Sequence, residues 1–218
     1  QPQGFIDVSS PHLVCKLHKS LYGLKQAPRA WYSTFSTFLL SHGFLSSHYD
    51  SSLFVKKTVS SFLVLLIYVD DSLLTGSDAS EIAQLVHHMH STFAMKELGS
   101  INYFLGISVT SSSHGYFLSQ HKYATVILAK AGMTDYKSYS SPTTLKQTDS
   151  PIDIPFSNPT LYRSIVGALQ YLTITRPDLS FAVNYACQFM HLPLVSHFAH
   201  VNRLLRYLKG TLNLGLHF

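Results

Sequence analysis

The feature that most constrains this chain is an eight-residue apolar run, Phe62 to Val69, which ends on two consecutive aspartates, Asp70 and Asp71. The run is rich in Leu, Val, Ile and Tyr, and the aspartates are followed by Ser72-Leu73-Leu74-Thr75-Gly76. These segments read as strand, tight turn and strand, with both carboxylates at the turn. Eight residues fall well short of the roughly 18 apolar residues that span a bilayer, so no membrane helix is expected. No signal peptide is expected either.

Such a hairpin needs a core to lie on, and the composition can supply one. Hydrophobic residues make up 46% of the 218, aromatics 13% and charged residues only 12%, about half the ~25% charged content of an average soluble domain. Disorder is excluded as the main description. The length suits one large domain or a domain and a half.

Along the chain the order is α+β. Val14 to Leu17 and Ser52 to Lys57 read as short strands. Between them Pro28 to about His42 reads as a helix, with Pro28 in its first turn, an apolar face of Ala27, Trp31, Phe35, Phe38 and Leu39, and Gly43 closing it. Asp78 can cap a helix through Glu81, Ile82, Leu85 and Met89 to about Met95. Ile101 to Thr110 and Gly115 to Ser119 read as another strand pair. From about His121 the character turns helical, and the Ser-, Thr- and Pro-containing stretch from Ser138 to Pro159 reads as a linker or exposed loop near a domain boundary. Leu161 to Lys209 reads as two or three helices with a break at Arg176-Pro177-Asp178.

Cys15 and Cys187 form no disulfide framework and no zinc-like spacing. The 13 histidines, densest at His87, His88 and His90 and again at His197 and His200, lack Cys or carboxylate partners at zinc spacing and are expected on solvated helix faces. The formal charge of +5 and pI of about 9.1 are compatible with a polyanionic partner such as nucleic acid.

Two readings of Asp70-Asp71 compete at this level. Adjacent carboxylates at the tip of an apolar hairpin favour a cation nearby, and magnesium prefers hard oxygen ligands. Aspartate is also an ordinary turn residue, because its side chain bonds its own backbone.

The ordered blocks Leu21–Tyr32 (LYGLKQAPRAWY), Tyr68–Asp78 (YVDDSLLTGSD), Leu98–Ile107 (LGSINYFLGI), Leu118–Met133, Leu161–Met190 and Leu204–Thr211 together resemble the reverse transcriptases of copia-type LTR retrotransposons, RNA-directed DNA polymerases, over essentially the whole chain. The resemblance implies a palm-like antiparallel sheet with helices over residues 1–120 (partial fingers and palm), followed by a mostly helical thumb and connection region over 121–218. It implies that Asp70 and Asp71 are catalytic carboxylates holding Mg2+ (or Mn2+), with Tyr68 and Val69 beside the primer end. Tyr22, Gly23, Lys25, Gln26 and Arg29 match the motif that borders the incoming nucleotide and templating base. Phe104, Leu105 and Gly106, after Tyr103, match the hairpin that grips the primer, and Lys96 is a candidate acid for the leaving pyrophosphate.

The implied partners are an RNA template, a DNA primer and deoxynucleoside triphosphates, together with ribonuclease H and integrase regions of a parent polyprotein, and no membrane. The implied location is cytoplasmic particles of the parent element, with a nuclear step for the DNA product. The family uses a third carboxylate on a strand upstream of Gln1-Pro2-Gln3-Gly4-Phe5, and Asp7 lies after that strand, so it does not fill the role. Both ends read as cut, with a ribonuclease H domain expected after Phe218. The chain is therefore expected to be a polymerase fragment inactive by itself, the alternatives being a non-catalytic nucleic-acid-binding fragment and an inert remnant of a decayed element.

Overall fold

The computed structural model describes residues 1, 3–14, 16–143 and 154–218. Cys15 and the centre of the expected 138–159 linker lie outside them. The chain divides into two compact units, Gln1–Glu97 and Leu98–Phe218.

The first unit holds helix α1 (Ala27–Ser41), strands β1 (Leu45–Ser46), β2 (Leu53–Lys57), β3 (Phe62–Tyr68) and β4 (Asp71–Gly76), and helix α2 (Ala79–Thr92). The strands form one antiparallel sheet in the order β1-β2-β3-β4. Alternation in β3 buries Leu63, Leu65 and Ile67 on one face while Phe62 and Tyr68 remain exposed, the period-2 consequence of a pleated strand. That face meets Phe35 and Leu39 of α1 and Leu85 and Met89 of α2 in one core. Asp78 caps α2 as expected, its Oδ1 accepting from the backbone N–H groups of Ser80 (2.8 Å) and Glu81 (3.2 Å). The helix stops at Thr92, before Met95, because Phe93 is extended (φ −122°, ψ 146°). Its ring lies edge-on to Trp31, Phe35 and Phe38. Among the described residues of the expected 14–17 strand, Val14, Lys16 and Leu17 are in no strand and are exposed.

The second unit holds β5 (Tyr103–Phe104), β6 (Ile107–Ser112), β7 (Gly115–Ser119), α3 (His121–Lys130), α4 (Pro159–Leu172), α5 (Ser180–Cys187), α6 (Val195–Gly210) and β8 (Leu216–His217). Its sheet runs β5-β6-β7-β8, antiparallel throughout. Tyr162, Ile165, Val166, Leu169 and Leu172 place one buried stripe on α4, and Val201, Leu204, Leu205 and Leu208 place another on α6, the spacing of a helix with one apolar face. Asn158 caps α4 through Leu161 N–H at 3.0 Å.

The expected break at Arg176-Pro177-Asp178 is a 3-10 turn at Pro177–Leu179 closed by a buried guanidinium. Arg176, 2% exposed, donates to both Asp178 carboxylate oxygens (2.9 and 2.8 Å) and to the Thr211 carbonyl and hydroxyl (2.8 and 2.7 Å). It thereby ties the α4–α5 connection to the end of α6. Residues 136–143 lie along α6, where Lys209 donates to Tyr136 O, Arg206 to Lys137 O and Arg203 to Thr143 O.

Ile101–Thr110 is not one strand, because the chain reverses at Leu105-Gly106, both in the left-handed region (φ +49° and +80°), the conformation of a two-residue type I′ hairpin. In the second unit β7 pairs with β8, and the Tyr171 hydroxyl on α4 donates to Leu105 O. The 103–119 strands therefore share a unit with the helices. Nor are all the histidines on solvated faces: His197 stacks on Phe189 and accepts from Leu194 N–H at 3.1 Å.

Candidate active site

The carboxylate turn is built by β3 and β4, whose last ladder pair is Tyr68↔Asp71. That register leaves Val69 and Asp70 as a two-residue loop. Val69 has φ +55°, a sign that glycine normally supplies at the first position of such a loop. A β-branched side chain is strained there, at a cost of order 1–2 kcal/mol. The turn is fastened from α1, where the Trp31 indole N–H donates to Val69 O at 3.1 Å. The indole itself is held between the ring of Phe35, stacked at 5.1 Å, and the edge of Phe93 at 5.4 Å.

Asp70 and Asp71 are exposed and differ from most of the chain's other aspartates. Asp7, Asp50 and Asp78 each accept from the backbone N–H and hydroxyl of the serine two residues on, bonds led by the serine hydroxyl that hold each carboxyl below the ordinary range. Asp178 is bound by Arg176. Asp70 and Asp71 make no such bond among the described residues, which leaves their oxygens available as ligands. Hard, anionic oxygens on consecutive residues fit Mg2+ or Mn2+. Among the described residues no group of three or more His, Cys, Asp or Glu comes together, so the pair is a partial donor set.

The other expected site residues fall in three places. Leu24 N–H bonds Leu21 O at 3.3 Å, closing a turn in which Gly23 has φ +87° and open space where a side chain would start. Tyr22 is 98% exposed, and Lys25, Gln26 and Arg29 are exposed as well. Gln26 stands at the α1 N-terminus without a capping bond from its side chain, and the loop before it surrounds an open hollow of about 230 Å³ lined by Leu17, Lys19, Leu24 and Gln26. Because Trp31 is on the same helix, this block runs directly into the element that touches the carboxylate turn. Lys96 lies past the end of α2, exposed and outside any helix. Phe104, Leu105 and Gly106 form the β5–β6 turn in the second unit, where a side chain on Gly106 would start 3.6 Å from the Tyr171 ring.

Sequence reasoning missed Trp31, counted only as an apolar helix position, and did not single out Tyr171. The signal was their polar tips, since a packed indole N–H or phenol O–H finds a partner. It also missed a charge asymmetry. Residues 1–97 carry seven Lys and Arg against seven Asp and Glu, whereas residues 98–218 carry nine against four, the whole net charge.

Residues 1–145 match the family described as reverse transcriptase (RNA-dependent DNA polymerase). The chain is 44% identical over 221 residues to the retrovirus-related Pol polyprotein from transposon RE1 of Arabidopsis thaliana, a match covering 99% of this chain and 15% of that protein. An uncharacterized mitochondrial protein of Arabidopsis thaliana is 51% identical over 155 residues, 71% of this chain and 65% of that protein. A putative transposon Ty5-1 protein of Saccharomyces cerevisiae is 30% identical over 224 residues, covering 100% of this chain and 72% of that protein. The chain thus spans about 15% of the length of the Pol polyprotein it matches. No solved structure gives a significant match.

Proposed function

The chain belongs to the copia-type retrotransposon reverse transcriptases, and from that membership we propose that it contributes the carboxylate turn and the nucleic-acid-gripping helices of an RNA-directed DNA polymerase. The observation that carries this reading is the pair of unpartnered carboxylates, Asp70 and Asp71, at a strained and anchored hairpin tip.

In the reaction a primer 3′-hydroxyl attacks the α-phosphate of a deoxynucleoside triphosphate and pyrophosphate leaves. Asp70 and Asp71 would hold a divalent cation, which supplies positive charge to the reacting phosphate oxygens. Tyr68 and Val69 support the primer end. Gly23 permits close backbone approach, and Lys25 and Arg29, near a helix N-terminus, meet phosphates, with Tyr22 and Gln26 beside the base pair. Phe104, Leu105 and Gly106 grip the primer strand, and Lys96 is the candidate proton donor to pyrophosphate. The palm is assigned to 1–120 and the thumb and connection to 121–218.

The family's third carboxylate has no match among residues 1–218. The free edge of β4, which pairs only with β3 among the described residues, is open to another strand beside Asp71. Ribonuclease H and integrase regions belong to the parent polyprotein, which acts in cytoplasmic particles with a nuclear step for the DNA.

The test is primer extension on an RNA template with Mg2+ and deoxynucleotides. The chain alone is expected to extend poorly, and a longer polyprotein segment that includes the upstream sequence to extend well. Asp70→Asn and Asp71→Asn should each abolish extension; activity surviving either substitution would refute the assignment. A second reading, nucleic-acid binding without turnover, is favoured by the positive charge of residues 98–218. It predicts association with an RNA–DNA hybrid that weakens steeply with salt and is insensitive to Asp70→Asn.

A further inference from the structure

Val69 and Leu105 are the non-glycine residues of positive φ among those described, and each takes the first loop position of a two-residue hairpin. The carbonyl of such a residue lies outside the strand ladder, so the strands cannot satisfy it. In both hairpins an aromatic side chain on a helix does so instead. Trp31 Nε1 donates to Val69 O, and the Tyr171 hydroxyl donates to Leu105 O. The same device therefore occurs in each unit, once with an indole and once with a phenol.

We propose that Trp31 is a positioning residue for the carboxylate turn. Its N–H fixes the peptide between Val69 and Asp70, and that peptide sets the direction in which Asp70 and Asp71 leave the backbone. Stacking on Phe35 and the edge contact with Phe93 hold the half-buried indole against the core, so the donor comes from a packed ring rather than from a free side chain. A cation held by Asp70 and Asp71 would meet carboxylates oriented by this anchor, and that step rests on the polymerase reading given above.

Trp31 is the single tryptophan, so the full chain gives one indole N–H signal by NMR. Its exchange with solvent is expected to be at least tenfold slower than that of free tryptophan; an unprotected indole overturns the proposal on the wild-type chain alone, even if every variant fails to fold. Trp31→Phe keeps a ring against Phe35 and Phe93 and removes the donor. It should move the Val69 Cα and Cβ shifts away from left-handed values and speed exchange of the Asp71 amide at least tenfold, with the Phe54 and Leu65 amides unchanged. Turn signals unchanged in that variant also overturn the proposal. Mn2+ separates the two readings. It should broaden the indole signal in the wild-type chain and not in Asp70→Asn. Absence of broadening refutes the cation site, while the indole and Asp71 exchange data still decide the anchor.

Discussion

Replacing Arg176 with alanine should be among the costliest single changes in the second unit. The guanidinium is buried and makes four hydrogen bonds, two to Asp178 and two to Thr211. Its loss leaves the Asp178 carboxylate with one side-chain partner, the Tyr207 hydroxyl at 2.9 Å, and the Thr211 carbonyl with the Leu214 N–H at 3.1 Å. Removing one member of a buried pair costs about 3–5 kcal/mol. Because the Asp178 side chain is 36% exposed, water partly compensates it, which places the expected cost near the lower bound, about 3 kcal/mol. The 121 residues from Leu98 to Phe218, at roughly 2.1 cal/mol/K each, give an unfolding entropy of about 0.25 kcal/mol/K, so the midpoint should fall by about 12 °C. Thermal unfolding by circular dichroism reads the shift, and amide exchange along α4 and α6 locates it. Arg176→Lys should recover less than half, because an ammonium cannot span both carboxylate oxygens and Thr211 together. A cost under about 1 kcal/mol for alanine, or full recovery by lysine, would refute the clamp.

The same network predicts a pH dependence. Burial pushes the Asp178 carboxyl up, but the Arg176 bonds and charge, with the Tyr207 hydroxyl, more than offset this and hold it below the ordinary range. A depressed folded value means that the contribution is complete above about pH 4 and is lost as pH falls through the folded value. The stability gap between wild type and Asp178→Asn should therefore close in acid; a gap constant from pH 7 to pH 2 would contradict it. Val69→Gly should raise the melting midpoint followed by Trp31 fluorescence, since relief of left-handed strain exceeds the added flexibility of glycine by about 1 kcal/mol, and a lowered midpoint would show that the turn is not strained. Gly76→Ala should cost about 2 kcal/mol or more, because its Cβ would lie 2.7 Å from Phe62 O and 3.0 Å from Leu63 Cγ; an unchanged urea midpoint would refute that packing.

The carboxylate hairpin was legible because its signals are local: the unbroken apolar run Phe62–Val69, two aspartates at the reversal, and the Ser72–Gly76 stretch that follows. Pro28 and Asp78 announced their helices for the same reason. What escaped were positions where residue type and conformation disagree. Leu105 is an ordinary strand residue by composition, and only its left-handed backbone makes the turn that splits Ile101–Thr110. Trp31 satisfies helical periodicity through its ring, which hides the role of its N–H. The division at Glu97 depends on the pairing of β7 with β8 and on the reach of Tyr171 to Leu105, partners far apart in the chain that no window of sequence brings together.

That β7–β8 pairing also sets an order of events during synthesis. Phe117 lies opposite His217, and Tyr116 and Phe218 exchange backbone bonds of 2.9 Å in both directions, so a strand made early is completed by residues made about one hundred positions later. Closing a loop of that length costs about 4 kcal/mol in chain entropy, which the intervening helices offset by packing first. At roughly 5–20 residues per second, β7 leaves the ribosome about 5–20 s before its partner exists. Throughout that interval Tyr116-Phe117-Leu118 presents an open edge on which another nascent copy could pair. The final strand thus acts as a time-delayed guard, and polysomes translating this segment are where intermolecular pairing would begin.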